Sequence, residues 1–204
     1  MKIIETLSKI RKTNAKIAVS LYVLVAAFVF LYGAQTTIVS SSLQPFLFVV
    51  GLILFTLIEY LTYRFVYHSG PDYKDEKNWQ FKVHGVHHQF LNDIGLLALP
   101  IILALLLGAL FFGLFYMIVG QWAFFLWPGF FLGYGSYLTV HYLVHSRKPP
   151  KNILGYLWRH HHLHHHVYEE KAFGVSSPLW DYIFGTMPPK GRIKRPPKAA
   201  NQNS

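Results

Sequence analysis

Long uncharged apolar segments alternate with shorter polar ones along this chain. No Asp, Glu, Lys or Arg occurs from Ile17 to Ile58, and none occurs from Ile94 to Ser146. One helical crossing of a bilayer takes about 20 residues, so each segment is long enough for two crossings. We predict spans at 17–33, 45–66, 95–118 and 122–144.

Composition also indicates a membrane protein. Hydrophobic residues make up 52% of the 204 residues and charged residues only 14%, against roughly 25% charged in an ordinary soluble domain. The predicted fold class is therefore all-α, an integral membrane bundle of four transmembrane helices under a helical cap built from about 67–93 and 146–189. We expect one domain over 1–204, flanked by a basic cytosolic N-terminus at 1–16 and a basic tail at 190–204.

Positive charges predict the orientation of this bundle. All nineteen Lys and Arg residues fall within 1–16, 64–82 and 147–198, and the two short loops between paired spans carry none. Basic residues stay on the cytoplasmic side of a membrane, so both termini and the cap are expected there. The net charge of +10 is expected to rest against anionic lipid headgroups, and no nucleic-acid partner is expected because no such motif accompanies it.

The twelve histidines form four groups at the ends of apolar runs. The groups are His68; His84, His87 and His88; His141 and His145; and His160, His161, His162, His164, His165 and His166. Within the last three groups, imidazoles three or four residues apart share one face of a helix. A ligand set of histidines without cysteine favours iron, copper, zinc or nickel. The pattern therefore predicts a metal site, and helix parity brings all four groups to one cytoplasmic membrane face.

Five strings in the chain carry a family resemblance. They are EYLTYRFVYH at 59–68, HGVHH at 84–88, HYLVH at 141–145, HHLHH at 161–165 and FGVSSPLWDYIFGT at 173–186. Together they resemble the fatty acid hydroxylase and sterol desaturase superfamily of integral-membrane di-iron enzymes, over about residues 45–187. The last string and HGVHH are most similar to the fatty acid 2-hydroxylase branch.

The resemblance implies a fold, a cofactor and a reaction. Its members have a four-helix membrane bundle under a cytosolic cap that binds two metal ions. For this chain it implies two iron ions, with zinc able to replace them in purified protein, and hydroxylation of a lipid acyl chain at the 2-position with dioxygen and external electrons. No catalytic residue beyond the metal ligands is expected. The matched ligand positions are His68, His84, His87, His88, His141, His145, His161, His164 and His165.

One position departs from the family pattern. The first histidine box of the family reads H-x-x-x-x-H, and Tyr63 stands here at its first histidine. Tyr63 binds as a phenolate, a water fills the gap, or one of the extra histidines, His160, His162 or His166, takes over. The pairs 160/164, 161/165 and 162/166 all share i, i+4 spacing, so spacing does not choose between them.

Two carboxylates and several aromatic residues are candidates for supporting roles. Glu59 near the end of the second span either orients a ligand histidine or pairs with Arg64. Asp181 either accepts a hydrogen bond from a ligand imidazole or caps a helix or loop. An acyl cavity beneath the metal ions is expected to be lined by residues such as Phe65, Tyr134 and Tyr137, unless these aromatic side chains serve only in packing.

The electrons are expected from a separate electron-transfer protein that docks on the basic cap. The chain shows no Gly-rich dinucleotide fingerprint and no appended haem-binding module. It has no cysteine, which excludes disulfides, thiolate catalysis and iron–sulfur clusters held by this chain. Its short length and the lack of such a module favour a bacterial inner membrane, with the endoplasmic reticulum as the alternative.

Three other functions stay open at this point. A sterol or carotenoid hydroxylase or desaturase of the same superfamily would share these motifs. A metal transporter is disfavoured, because its polar ligands should lie near the middle of the membrane and not at the ends of the spans. A non-catalytic metal-binding membrane protein is the third alternative, and Tyr63 makes it credible.

Overall fold

The computed structural model of the chain describes residues 13–69, 75–91 and 93–189. Every regular element in these ranges is helical, so the predicted all-α class is confirmed. The basic tail at 190–204 and most of the basic N-terminus lie outside the described residues.

Four long helices and three short ones follow one another along the chain. The long helices are α1 (Ala15–Thr36), α2 (Leu43–Thr62), α4 (Ile101–Val119) and α5 (Ala123–Ser146). The short helices are α3 (Val86–Gln89), α6 (Gly155–His166) and α7 (Leu179–Ile183). Wider π-helical turns cover Tyr63–Tyr67 and Phe81–Gly85, and tighter 3₁₀ turns cover Ile94–Leu96 and Gly120–Trp122.

Three segments of the described chain are long and apolar enough to cross a membrane. They are Ala15–Thr36, Leu43–Tyr67 and Ile94–Ser146, and the last is 53 residues long. The chain reverses inside this last segment at Gly120, which has a φ of +57°. Helices α4 and α5 then pack antiparallel, with the indole nitrogen of Trp127 donating to the carbonyl of Gly108 at 2.7 Å. The long segment is therefore a helical hairpin.

The start of α4 corrects one predicted boundary. The third span was expected from residue 95, whereas the helix begins at Ile101. Pro100 precedes it with an extended backbone, at φ −51° and ψ 136°. A residue before proline is pushed away from helical geometry, so the helix cannot extend backward through this point.

The connections between the long helices lie at two opposite ends of the bundle. At one end, the backbone nitrogen of Ile38 donates to the side chain of Gln121 at 3.3 Å, so the α1–α2 and α4–α5 connections meet. At the other end, the hydroxyl of Thr13 donates to the carbonyl of Leu99 at 3.2 Å. The start of α1 therefore lies beside the start of α4.

Helix α5 is the central helix of the bundle. It contacts α1, α2 and α4, and its buried residues include Phe125, Trp127 and Phe131. The outward faces of the other helices carry exposed apolar side chains such as Leu24 and Met117. Apolar residues on all sides of a helix are typical of a helix in lipid.

Glycines allow α2 and α5 to approach backbone to backbone. A β-carbon added at Gly129 would lie 1.9 Å from the carbonyl oxygen of Phe48, and one at Gly51 would lie 2.0 Å from that of Leu126. Small residues at such a crossing let membrane helices pack closely, which is the main attraction available to them in lipid.

We expect Gly129→Ala to lower the free energy of unfolding by about 1–3 kcal/mol, because the added methyl group forces α2 away from α5. Thermal unfolding in detergent measures this. The matched control is Gly113→Ala on α4, where nothing lies within 4 Å of the added carbon. Equal melting temperatures for the two variants would contradict the close contact.

Candidate metal centre

Nine histidines converge on two adjacent clusters at the Thr13 end of the bundle. The five-histidine cluster contains His87, His141, His145, His161 and His165, and the four-histidine cluster contains His68, His84, His88 and His164. In each cluster the potential ligand nitrogens all lie within 4.8 Å of one another. These nine are the positions that the resemblance implied as ligands, and their ligand role stays a prediction.

The imidazoles of each cluster point their Nε2 atoms at one another. In the five-histidine cluster, Nε2 of His87 lies 3.0 Å from those of His141 and His145. In the four-histidine cluster, Nε2 of His84 lies 3.1 Å from that of His68 and 2.8 Å from that of His88. Each cluster therefore surrounds one small volume with nitrogen atoms.

The two H-x-x-H-H motifs serve the two clusters in opposite ways. In the motif at 84–88, the outer pair His84 and His88 belongs to the four-histidine cluster and His87 to the five-histidine cluster. In the motif at 161–165, the outer pair belongs to the five-histidine cluster and His164 to the four-histidine cluster. Each motif therefore bridges both clusters, which holds them side by side.

Two π-helical turns position the histidines of the four-histidine cluster. The backbone nitrogen of His68 donates to the carbonyl of Tyr63, five residues earlier, at 3.1 Å. His84 lies within the second such turn, Phe81–Gly85. Turns of this kind shift side chains around the helix axis and occur often at functional sites. Regular 3.6-residue periodicity does not predict them.

The donor atoms fit transition-metal ions. Two nitrogens bound at about 2.0–2.1 Å to one ion and at a right angle to each other lie about 3 Å apart. This matches the observed separations of 2.8 to 3.1 Å. Nitrogen lone pairs this close repel one another, and the imidazoles have too few protons to bridge them all. A cation removes that repulsion, and histidine ligands favour first-row transition metals.

Burial keeps the imidazoles of the cap in the neutral form that binds metal. It lowers the pKa of His84, His87 and His161 well below the usual 6.5. It lowers the pKa of His164 to about 4. Nδ1 of His164 donates to the carbonyl of Lys171 at 2.8 Å, which leaves Nε2 free to bind. At neutral pH these nitrogens therefore present lone pairs.

Tyr63 and the extra histidines lie outside both clusters. The hydroxyl of Tyr63 hydrogen-bonds to that of Tyr137 at 2.7 Å, and its ring packs on His84. His160 is buried and donates to Asp181 at 3.0 Å. His162 and His166 are exposed on the outer side of α6. None of these three histidines belongs to either group of converging ligand atoms, and the Tyr63 hydroxyl is engaged by Tyr137.

The structure gives Glu59 a role that neither sequence interpretation described. Its carboxylate, 5% exposed, accepts from the backbone nitrogens of Val175 and Ser176 at 2.6 and 2.9 Å and from the Ser176 hydroxyl. Arg64 donates instead to Tyr60 at 2.8 Å. The ion pair with Arg64 is therefore wrong, whereas the orientation of a ligand histidine by Glu59 stays a prediction and would act through residues 175 and 176.

Asp181 holds the same segment from the other side. It accepts from the backbone nitrogens of Phe173 and Gly174 at 2.9 and 2.8 Å, and from Thr186 and His160. Burial raises its pKa, but the hydrogen bonds from His160 and Thr186 outweigh burial and hold the pKa below its usual value. Its imidazole partner is His160, which is not among the nine converging histidines, and its bonds to the backbone of Phe173 and Gly174 match the alternative of a loop cap.

Glu59 and Asp181 together hold residues 173–176 by hydrogen bonds, and this segment follows directly after Lys171 and Ala172, with the Lys171 carbonyl accepting from His164. Spacing rules for metal ligands could not find this segment, because it contains no histidine. The sequence offered two other signals, which were the carboxylate of Glu59 in an apolar span and the FGVSSPLWD string.

An apolar cavity of about 180 Å³ lies beneath the clusters, between α2, α4 and α5. Tyr134 and Tyr137 line it, as expected, together with Phe55, Leu107, Gly108 and Phe130. Phe65 does not line it and is 58% exposed, so that expectation is wrong. Phe65 stacks under the guanidinium of Arg64 on the outside of the helix.

A second cavity of about 40 Å³ lies against the histidine clusters. It is lined by His84 of one cluster and by His87 and His141 of the other. Four residues line both cavities, namely Tyr67, Leu99, Tyr134 and Tyr137. The apolar cavity and the histidine clusters are therefore neighbours, with these side chains at their boundary.

Comparison with known proteins connects this site to a family. A family model described as fatty acid hydroxylase matches residues 48–186. Rat fatty acid 2-hydroxylase is 35% identical over 157 residues, which cover 75% of this chain and 42% of the relative. The Saccharomyces cerevisiae ceramide very long chain fatty acid hydroxylase SCS7 is 36% identical over 146 residues, covering 69% of this chain and 38% of the relative.

A solved structure has the same fold. It is described as full-length scs7p with only the hydroxylase domain visible, and it superimposes with a TM-score of 0.77 at 28% identity. The match covers 88% of this chain and 68% of that chain. The chain spans less than half the length of the two curated relatives. The matched region contains all nine converging histidines, and the chain belongs to the fatty acid hydroxylase family.

Proposed function

We propose that this protein hydroxylates a lipid acyl chain at the 2-position, with dioxygen and electrons from a separate protein. The observation that carries the proposal is the apolar cavity beneath the histidine clusters, which shares four lining residues with a smaller cavity that His84, His87 and His141 line. Two relatives are a fatty acid 2-hydroxylase and a ceramide very long chain fatty acid hydroxylase, which supports an acyl substrate over a sterol or carotenoid.

The cavity suits one end of an acyl chain. Its walls are mainly aromatic and aliphatic, so they replace lipid around the chain with little cost in free energy. Leu107 lines the cavity and is 38% exposed. This side chain therefore lies at an opening toward the lipid, through which a chain already dissolved in the bilayer can enter.

The nine histidines would hold two iron ions, one in each cluster. Bound iron supplies the binding and reduction of dioxygen that hydroxylation of an unactivated C–H bond requires. The surrounding residues orient the imidazoles and keep the reacting carbon between the clusters. The side chains of Tyr63, Tyr67 and Tyr137 exclude water from this space. Zinc is expected to replace iron in purified protein, because both accept imidazole ligands.

The overall reaction needs a source of electrons. One oxygen atom enters the acyl C–H bond, and the other leaves as water after taking up two electrons and two protons. We infer that a separate electron-transfer protein supplies the electrons. Basic residues of the cap, such as Arg147, Lys148 and Arg159, offer it a positively charged docking surface.

We further propose four membrane crossings, with the metal centre at the cytoplasmic face. Helices α4 and α5 are 19 and 24 residues long, which is enough for one crossing each. The loops at the opposite end carry no Lys or Arg, in agreement with the positive-inside rule. The relatives named above come from a mammal and a yeast, which gives no support to a bacterial host.

A non-catalytic metal-binding protein is the second candidate function. The observation that favours it is Tyr63, which stands at a histidine position of the family pattern and bonds to Tyr137 instead of joining a cluster.

The activity is testable with protein reconstituted in lipid bilayers with iron, dioxygen and a reduced electron carrier. We expect acyl products that have gained one oxygen atom at carbon 2, measured by mass spectrometry. Chelation of the metal should abolish the product, and added iron should restore it.

Two variants, His87→Ala and Tyr63→His, should be assayed beside the parent protein. His87→Ala should bring turnover to background, because it removes a ligand of the five-histidine cluster. Turnover by Tyr63→His alone, with an inactive parent, would establish the second candidate function. Oxygenated sterols in place of acyl products would refute the acyl assignment.

The hydrogen bonds of Glu59 and Asp181 to residues 173–176 predict a selective effect on one metal site. Glu59→Gln should weaken metal binding at the four-histidine cluster by about 10–100-fold, the usual effect of losing a residue that supports a ligand. The physical reason is that the freed segment no longer holds the Lys171 carbonyl against His164. Cobalt titration monitored by absorbance measures both sites.

Glu170→Gln is the matched control for this effect, since Glu170 is an exposed carboxylate in the same part of the chain. It should leave both affinities unchanged. Equal weakening of both clusters by Glu59→Gln would show a general loss of structure and not the selective effect expected.

The lipid-facing opening at Leu107 predicts that a larger side chain at this position hinders entry of the substrate. Leu107→Trp should lower kcat/KM for acyl substrates at least about tenfold, a change of roughly 1.4 kcal/mol in activation free energy, because the indole narrows the opening. Leu106→Trp is the control, since Leu106 is 63% exposed and does not line the cavity. Both variants should keep the parent's metal content, and equal activity of the two would argue against entry at this point.

A further inference from the structure

Two histidines on the outer face of α6 form a pair that the metal centre does not use. His162 and His166 are four residues apart, both are exposed, and their ring centroids lie 4.2 Å apart. Neither belongs to the five-histidine or the four-histidine cluster. On a helix, imidazoles at this spacing project from the same face and can bind one ion together.

The pair lies beside the most accessible ligand of the five-histidine cluster. Four members of that cluster are buried, and His145 is the only one that is partly exposed. The ring of His166 lies 6.3 Å from that of His165, which is itself 5.0 Å from that of His145. The outer pair is therefore separated by one imidazole from the one partly exposed ligand of the five-histidine cluster.

We propose that His162 and His166 form a third metal site, which captures a divalent first-row transition metal from solvent and passes it to the five-histidine cluster. This inference rests on the proposed metal role of that cluster. Two imidazoles supply two ligands, and water completes the coordination because the site is exposed. Histidine without cysteine or carboxylate favours the same class of ion as the clusters within.

The difference in ligand number gives the transfer its direction. The outer site offers two protein nitrogens, whereas the inner cluster offers five in a buried space. An ion bound by more imidazoles and shielded from water is held more tightly, so it moves inward once it has been captured. Weak binding at the outer site is necessary, because an ion held there tightly would not be released.

The test uses the full chain in detergent, stripped of metal by chelation and titrated with cobalt(II). The parent protein should bind two ions tightly and a third more weakly. The double variant His162→Ala/His166→Ala should keep the two tight ions and lose the third. Each single variant should lose the third ion as completely as the double variant does, because chelation needs both rings.

Loading kinetics test the capture role. At limiting cobalt, the double variant should fill the five-histidine cluster about tenfold more slowly than the parent. A tenfold change is the lower end of the increase in association rate that local accumulation of an ion gives. Absorbance of the bound cobalt, followed by stopped flow, measures the rate. Arg159→Ala, a change at an exposed residue of the same helix, is the matched control and should load at least as fast as the parent.

The outcomes separate this inference from the proposed function. A double variant that keeps the third ion overturns the outer site while leaving the metal centre intact. A double variant that loses the third ion but loads at the parent's rate overturns the capture role. A parent that binds no ions tightly refutes the proposed metal centre and this inference together.

Discussion

The structure depends on holding nine neutral imidazole nitrogens in two small volumes. Within each cluster, neighbouring Nε2 atoms are about 3 Å apart, where their lone pairs repel and water has little access. Such an arrangement suits a bound cation, which accepts all of these lone pairs at once. The bundle, the π-helical turns and the clamped segment can all be understood as the means of keeping these side chains in place.

Helix α5 joins the membrane part of the protein to the metal centre. Its middle carries Gly129 in backbone contact with α2 and Phe130 in the wall of the apolar cavity. Its last turns carry His141 and His145. One rigid helix therefore sets the distance between the apolar cavity and the five-histidine cluster. The same distance would decide which carbon of an acyl chain lies between the clusters.

Buried carboxylates extend the site beyond the histidines. Glu59 lies at the end of an apolar helix, where an uncompensated charge is costly, and donors from residues 175–176 satisfy it. The carboxylate of Asp181, which lies on α7, accepts hydrogen bonds from the same segment. The segment they hold follows directly after Lys171 and Ala172, with the Lys171 carbonyl accepting from His164. A part of the chain without histidine therefore contributes to the geometry of the metal centre.

Local physical chemistry made the helices and the ligand set predictable from the sequence. Uncharged runs of bilayer length defined the long helices to within a few residues, except where Pro100 delays α4, and the spacing of the nine histidines matched a known family pattern. Which histidine joins which cluster was decided only by tertiary structure, because each H-x-x-H-H motif divides between two sites that are formed by distant helices. The same holds for the partners of Glu59 and Asp181, for the position of Tyr63 beside Tyr137, and for the outward position of Phe65. The contacts of Tyr63 and Glu59 join residues 74 to 117 positions apart, and Phe65 lies in a π-helical turn. Asp181 bonds to α6 and to the loop before α7, and a pattern read along one helix carries no information about what packs across from it.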